Sequence, residues 1–341
     1  MHPVVTEQQL PEFAPGGLLA NRHVQSLANS SAPRKLLIHH RAREFRHGGE
    51  QWILDGGGGV RLLGFYNRHK ERHTRGLVIL FHGWEGSSDS NYILSTGNQL
   101  FNAGYDVFRL NFRDHGPSHH LNREIFHSNR LDEVVNAVAD ICGKIETRPV
   151  YLAGFSLGGN FALRTGLRAP ALGIPLARII AVCPVIVPVH VLDSLESGPA
   201  IYHRYFVKKW QTSLRIKQRY FPGQYEFSEW FRISGLKDQT QFLVERYTDY
   251  ESVQAYFDGY SLHGDRLVNL EVPTTIIASR DDPVIPYSDF EGLVQPPSIK
   301  LVTTQNGGHC SFMKDWRFNS WIDQFMEAEV EAAQIGAGRG N

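Results

Sequence analysis

Short apolar runs alternate with amphipathic stretches along most of the chain. Seven of the runs predict β-strands, at residues 60–66, 76–81, 106–111, 150–154, 177–183, 274–279 and 299–303. Strands that alternate with helical patterns are typical of a mainly parallel, twisted sheet with helices on both faces. The pattern therefore predicts an α/β fold.

The clearest helix is predicted over residues 129–145. Its apolar positions fall on one face at a spacing of 3.6 residues: Leu131, Val134, Val135, Val138, Ile141, Cys142 and Ile145. The opposite face is charged or small, as expected for a helix that covers a sheet.

Residues 188–270 depart from this alternation of strand and helix patterns. They lie between two predicted strands and are rich in aromatic residues, namely Tyr202, Tyr205, Phe206, Trp210, Tyr220, Phe221, Tyr225, Phe227, Trp230 and Phe231. We predict a helical insertion over the C-terminal ends of the strands. Some of these rings should line a substrate pocket, while others pack the insertion onto the body.

Residues 1–341 are expected to form a single domain that includes this insertion, because one large core of this size is common among α/β proteins. The first fifty residues carry few periodic signals. The segment 332–341 is expected to be a disordered tail.

Charge and cysteine content narrow the function classes. Lysine plus arginine and aspartate plus glutamate number 35 each, so no net field favours nucleic acid or an anionic membrane surface. Cys142, Cys183 and Cys310 lie at wide spacings that indicate neither a disulfide framework nor a zinc site. No basic leader and no apolar run of about 18 residues is present, so we expect a cytoplasmic protein without a transmembrane segment.

The most specific motif is Gly154-Phe155-Ser156-Leu157-Gly158, which follows an apolar strand and precedes a predicted helix. This strand–turn–helix context is that of a nucleophile elbow. Small residues at both ends of the motif let the strand and the helix approach closely. The turn would expose the Ser156 hydroxyl at a helix N-terminus, where the Leu157 N–H can stabilise an oxyanion.

A serine hydroxyl needs a base to accept its proton, and in this kind of fold the base follows an acid along the chain. His309 comes after the last predicted strand and is preceded by two glycines. The acid should follow the preceding strand, where Asp281 and Asp282 compete. Asp282 precedes a proline and is favoured as the residue that orients the imidazole, while Asp281 could cap the turn.

The loop after residues 76–81 reads His82-Gly83-Trp84-Glu85-Gly86. Its glycines expose backbone, so the N–H of Trp84 is the expected second oxyanion donor beside Leu157. The indole of Trp84 could also form a wall of the acyl site. For His82 we favour a structural hydrogen bond that holds the loop.

Taken together, HGWEGSSDSNY, NFRDHGPSHHLNREIFHS, GFSLGGN, SRDDPVIP and GGHCSF resemble, in order, the motifs of the YheT-like subfamily of α/β hydrolases, which is related to animal α/β-hydrolase-domain-containing lipases. The early stretch FAPGGLLANRHVQSL is similar to the opening segment of that family. The resemblance covers nearly the whole chain and implies the α/β-hydrolase fold, a Ser156–Asp282–His309 triad and an esterase or lipase-type activity. One departure is Asp114, where the family often has glycine.

From these residues we expect a serine carboxylic-ester hydrolase that acts on small-molecule esters with short to medium acyl chains. A lipase, thioesterase, peptidase or acyltransferase would use the same acyl-serine intermediate. The alternative from a different functional class is a binding module that has the hydrolase fold but no catalytic activity. An intact triad argues against this alternative. No cofactor and no metal are expected, since the adjacent pair His119-His120 is better explained by loop packing.

Overall fold

The computed structural model describes residues 12–70 and 73–338, without the side chains of 335–338. Its strands form one sheet in the order β1-β2-β4-β3-β5-β6-β7-β8. They are β1 (Glu50–Asp55), β2 (Arg61–Asn67), β3 (Leu77–Phe81), β4 (Asp106–Asn111), β5 (Val150–Phe155), β6 (Leu176–Val182), β7 (Thr274–Ser279) and β8 (Ile299–Thr304). From β4 to β8 all neighbours are parallel, while β2 runs antiparallel to both β1 and β4.

The predicted α/β fold is therefore confirmed, and each of the seven predicted strands matches an observed one within about one residue. The strand that was not predicted is β1. It lies at the edge of the sheet and buries only Leu54 fully, so its sequence lacks the continuous apolar run of a central strand.

Helices cover both faces of the sheet. They are α1 (Arg22–Asn29), α2 (Ala32–Arg41), α3 (Arg43–Gly48), α4 (Asn91–Asn102), α5 (Leu131–Lys144), α6 (Leu157–Arg168), α7 (Pro188–Ser197), α8 (Ala200–Tyr220), α9 (Leu236–Tyr247), α10 (Val253–Asp258), α11 (Ser288–Glu291) and α12 (Trp321–Gly338). The predicted helix over 129–145 is α5.

Two hydrophobic layers follow from the alternation of side chains along each strand. In β3, Ile79 joins the cluster that contains residues of α5 and α6, whereas Val78 and Leu80 join the cluster with residues of α4 and α12. Because every residue of β3 is buried, both faces of this strand contribute to the core.

The helical insertion between β6 and β7 comprises α7 to α10. It reaches over the C-terminal end of β3, where Trp84 stacks on Phe206 of α8 with ring centroids 5.1 Å apart. Other aromatic residues of the insertion, including Phe227 and Trp230, form a small core of their own. We call α7 to α10 the roof.

A buried ion pair fastens the roof to the body. The Lys217 ammonium of α8 donates to the Asp114 carboxylate at 2.8 Å, and both side chains are almost fully buried. Asp114 also accepts a hydrogen bond from the Phe126 N–H. Its φ of 56° is left-handed, a conformation that glycine adopts without strain. An aspartate at position 114 thus has a strained backbone, but its carboxylate anchors α8 through Lys217.

The helices α2, α3 and α12 pack on the side of the sheet opposite α5 and α6. α2 and α3 contact α4, and α12 contacts α4 and β6. The expected disordered tail, 332–341, overlaps α12, which continues to Gly338; positions 339–341 lie outside the described residues, as do residues 1–11 and 71–72.

Candidate active site

Ser156 lies in the turn between β5 and α6, as the motif predicts. Its backbone has φ 55° and ψ −119°, a strained combination for a residue with a side chain. The flanking glycines are required sterically, since a β-carbon at Gly154 would lie 2.2 Å from the Gly158 carbonyl oxygen. A β-carbon at Gly158 would lie 2.4 Å from the His82 carbonyl oxygen.

The structure brings the predicted Ser156, His309 and Asp282 together. His309 Nε2 is 3.0 Å from Ser156 Oγ, and His309 Nδ1 is 2.9 Å from Asp282 Oδ2. The other oxygen of Asp282 accepts hydrogen bonds from the backbone N–H groups of Val284 and Ile285 at 2.8 and 3.0 Å. These bonds fix the carboxylate on the side of the imidazole that faces away from Ser156.

Asp281 has a different environment. Its carboxylate accepts hydrogen bonds from the Ser279 hydroxyl at 2.5 Å and from the Gly308 N–H at 2.9 Å. It therefore holds the backbone of the loop that carries His309, whereas Asp282 contacts the imidazole. The two adjacent carboxylates act on the same histidine through different atoms.

Burial opposes protonation of His309, but the adjacent Asp282 carboxylate and then the Cys310 sulfur together outweigh burial and raise the pKa of His309 well above its usual range. If Asp282 accepts from the Nδ1–H group, Nε2 of the neutral ring is free to accept the Ser156 proton. The geometry thus pairs a serine hydroxyl with an oriented base.

Both expected oxyanion donors lie beside Ser156. Leu157 is the first residue of α6, and Trp84 lies in the loop after β3; Trp84, Leu157 and Ser156 line the same cavity. Within residues 12–70 and 73–338, no acceptor is found for the backbone N–H of either Trp84 or Leu157. Neither group is therefore committed to an acceptor within the described fold, as an oxyanion donor must be.

Buried histidines hold the Trp84 loop. His82 Nδ1 is 2.8 Å from the Gly83 carbonyl oxygen, and its Nε2 accepts from the Phe112 N–H. Burial lowers the pKa of His82 to about 4, so the ring is neutral. His115, which was not singled out from the sequence, accepts from the Glu85 N–H at 3.1 Å. These contacts agree with a structural role for His82.

The His309 loop is fastened by the N-terminal helix α1, which sequence reasoning missed. Ser26 Oγ accepts a hydrogen bond from the His309 N–H at 2.9 Å. Fully buried Gln25 bonds to both the N–H and the carbonyl oxygen of Met313, at 2.8 and 3.0 Å. The one available signal was the family-like opening segment, which contains both residues but says nothing of their partners.

A mostly apolar cavity of about 90 Å³ begins at Ser156 and continues beneath the roof. Leu192, Leu195, Leu243 and Val244 contribute apolar side chains from α7 and α9, while Phe206 and Trp210 contribute rings from α8. Phe206 and Trp210 are among the aromatic residues singled out from the sequence, and Tyr256 and Phe257 of α10 line the cavity as well. The cavity suits an uncharged, largely hydrocarbon group.

The described residues also bear on metal binding and on membrane crossing. In this part of the chain, no three or more His, Cys, Asp or Glu side chains are grouped so that they could hold a metal ion. Nor does any described helix combine the length and the apolar character needed to cross a bilayer. His119, from the adjacent histidine pair, contacts the Ser213 hydroxyl of α8 at 2.9 Å.

Comparison with known proteins places this geometry in a family. A family model described as "Alpha/beta hydrolase family" matches residues 78–318, which is more than half of the chain and includes Ser156, Asp282 and His309. The chain belongs to the alpha/beta hydrolase family. The protein YheT of Escherichia coli K12, which is named as an esterase, is 23% identical to this hydrolase. The similarity covers 93% of this chain and 95% of YheT.

The human protein named phospholipase ABHD3 is 22% identical to this hydrolase, over 81% of this chain and 70% of that protein. Among solved structures, 2,6-dihydroxy-pseudo-oxynicotine hydrolase is similar with a TM-score of 0.60 and 16% identity, covering 88% of this chain and 72% of the other. The resemblance to YheT-like proteins is confirmed, and the protein is a hydrolase with esterase-named relatives.

Proposed function

We propose that this hydrolase is a serine carboxylic-ester hydrolase that acts through an acyl-serine intermediate. The observation that carries the proposal is the continuous contact from Ser156 Oγ to His309 Nε2 and from His309 Nδ1 to Asp282. A serine at a strained elbow, a base in reach of its proton and an acid behind the base are what acyl transfer requires.

In the proposed reaction, Ser156 Oγ attacks the ester carbonyl while His309 Nε2 accepts its proton. The N–H groups of Leu157 and Trp84 stabilise the oxyanion that forms. His309 then gives the proton to the departing alcohol, which leaves the acyl group on Ser156. A water molecule, activated by the same histidine, releases the acid. Asp282 stabilises the imidazolium during both steps.

The cavity supports short to medium acyl chains as substrates. Each methylene that fits between its apolar walls contributes about 0.8 kcal/mol, so kcat/KM should rise with chain length until the cavity is full. A volume of about 90 Å³ favours an early optimum. A thioester substrate or an alcohol acceptor would use the same intermediate, so each should be assayed beside the ester panel described below.

The test combines labelling with kinetics. A fluorophosphonate probe should label the natural protein and fail to label Ser156→Ala, which should keep its melting temperature. Hydrolysis of p-nitrophenyl esters from acetate to palmitate, at monomeric concentrations, should fall by roughly 10⁴-fold in Ser156→Ala. Labelling of the variant, or loss of less than about a hundredfold, would remove Ser156 as the nucleophile. A rise that continues to palmitate would make the protein a lipase.

A further inference from the structure

The helix α8 has an uneven charge distribution for a chain that is neutral as a whole. Its 21 residues contain six lysines and arginines and no aspartate or glutamate. The helix α9 of the same roof mixes both signs, with Asp238 and Glu245 beside Lys237 and Arg246. The equal totals of 35 basic and 35 acidic residues therefore conceal a local excess of positive charge along α8.

Two of the six cations have partners within the protein. Lys217 bonds to Asp114, and Lys209 Nζ donates to the Glu85 carbonyl oxygen at 3.0 Å. The other four are exposed and have no carboxylate within salt-bridge distance among residues 12–70 and 73–338, namely Arg204, Lys208, Arg215 and Arg219. We call these four residues the basic face. The contacts of the fold account for two of the charges and leave the basic face unexplained.

The basic face is narrow and lies opposite the cavity. The spacings of its residues, 4, 7 and 4 positions, place them within a sector of about 60° along roughly 22 Å of helix. Ile201 lies in this sector and Tyr205 borders it, and they are 51% and 37% exposed. The other side of α8 carries Phe206 and Trp210, which line the cavity at Ser156. The helix thus separates a basic outer surface from a cavity that suits hydrocarbon.

Exposed apolar side chains continue from α8 onto α1. Tyr202 contacts His23 of α1, with ring centroids 5.8 Å apart, and the Tyr205 hydroxyl is 3.4 Å from Ser30 Oγ. Leu27 lies one turn after His23 on the same face of α1 and is 36% exposed. The first turns of α8 and the adjacent face of α1 therefore form one surface, and that surface is partly apolar.

This combination determines which partner the surface fits. At an anionic bilayer, lysine and arginine are attracted to the charged headgroups, while adjacent apolar groups enter the boundary between headgroups and acyl chains. Nucleic acid would also attract the cations through its phosphates, but it offers no apolar layer to Ile201 and Leu27. Charge complementarity and the apolar side chains together favour a lipid surface.

We propose that the basic face of α8 docks this protein onto bilayers that contain anionic phospholipids, with Ile201, Tyr205 and Leu27 entering the headgroup layer. The docking is peripheral and involves no membrane-spanning segment. The inference goes beyond the proposed esterase function and does not depend on it, because the docking surface includes neither the Ser156 hydroxyl nor the cavity.

The experiment measures co-sedimentation of the full chain with vesicles of phosphatidylcholine, either alone or with about 30% phosphatidylglycerol. At about 0.1 M salt, binding to the anionic vesicles should be at least about tenfold tighter, and about 0.5 M salt should largely abolish it by screening. The double variant Lys208→Gln/Arg219→Gln removes two charges of the basic face. At about fivefold for each charge, it should weaken binding about 25-fold.

The double variant Lys144→Gln/Arg168→Gln is the matched control. It makes the same change in net charge at exposed positions of α5 and α6, and it should bind like the natural protein. Ile201→Ser keeps every charge and should weaken binding about tenfold, because it removes apolar surface from the headgroup layer. Melting temperatures show whether each variant is folded. Ser156→Ala should dock like the natural protein, so failure of the esterase function would leave this result unchanged.

An anionic preference that is lost in Lys208→Gln/Arg219→Gln and kept in the control supports the inference. Equal affinity for neutral and anionic vesicles, or equal weakening by the two double variants, would overturn it. A DNA duplex of about 30 base pairs is added as a competitor. Displacement of the vesicles by this duplex, with no effect of Ile201→Ser, would assign the basic face to nucleic acid and would also overturn the inference.

Discussion

The two halves of the candidate catalytic pair are held in different ways. Ser156 is fixed by its immediate neighbours in sequence, because β5, two glycines and α6 leave the turn a single close-packed arrangement. His309 lies in a loop whose backbone is bonded to Ser26 and Asp281, and Ser26 is 283 positions away along the chain. The proposed nucleophile is therefore positioned by local packing, and the proposed base by long-range hydrogen bonds.

The sharpest test of how His309 is held replaces each of the two aspartates in turn by asparagine. Asp282→Asn should lower kcat/KM by roughly 10⁴-fold, because an amide favours the wrong tautomer and cannot stabilise the imidazolium. Asp281→Asn should lower kcat/KM far less, by about tenfold, because the Asp281 carboxylate holds only the loop backbone at Gly308. Steady-state kinetics of both variants, with melting temperatures as the folding control, decide the ranking. The reverse order would assign the orienting role to Asp281.

On the Ser156 side, Gly158→Ala should disturb the elbow itself. The added β-carbon would lie 2.4 Å from a backbone carbonyl oxygen, so the free energy of unfolding should fall by about 1–3 kcal/mol, as overpacking usually costs. Gly143→Ala is the control, because this position in α5 has open space around it. It should gain about 0.5–1 kcal/mol of stability. Urea unfolding of both variants is the measurement, and equal stabilities would refute the steric account.

Ser26→Ala tests the long-range attachment of His309. Loss of the acceptor for the His309 N–H should lower kcat about tenfold, since small displacements of a catalytic group are costly. KM and the melting temperature should change little, and Ser26→Thr should restore most of the rate. Ser30→Ala, in a neighbouring exposed turn, should behave like the natural protein. A change confined to the melting temperature would mean that Ser26 is only structural.

The smallest expected effect is a shift in pH dependence. His309 must be neutral to accept a proton. Its pKa is raised by Asp282 and, to a smaller extent, by Cys310, so kcat/KM should rise with pH through an inflection above about 6.5, the ordinary histidine value. The residual activity of Asp282→Asn should show this inflection at lower pH. The stability that the His309–Asp282 pair contributes should be complete below the unfolded pKa and decline as pH rises through the folded one. An inflection that stays in place would exclude Asp282 as the cause.

Local features of this chain were predictable from its sequence. β3 and β5 are buried on both faces, so their apolar runs stand out, and the Gly154–Gly158 motif follows directly from one of them. The sequence also favoured Asp282 over Asp281, and Asp282 is the one whose carboxylate contacts the imidazole of His309. A break in the strand and helix pattern set residues 188–270 apart in the sequence, but the pattern did not give the course of the helices α7 to α10.

Other features depend on partners that no local pattern reveals. Gln25 and Ser26 lie on a helix of only eight residues, and their roles come from contacts 288 and 283 positions downstream. The departure at Asp114 was visible, but its explanation required Lys217, 103 positions later in α8. Sequence patterns report burial and turns, while these contacts are set by tertiary pairing.

The hydrogen bonds between Gln25 and Met313 also bear on the order in which parts of the protein can fold during synthesis. α1 leaves the ribosome early, yet the backbone groups that pair with its buried amide are 288 positions downstream. Domains generally fold as they emerge, and distant pairings are slow to form. The elbow can be complete when α6 and β6 have been translated, whereas the hydrogen bonds of α1 must wait for Met313. A polypeptide that ends between these two points would contain the formed elbow without His309, and we expect it to have no hydrolytic activity.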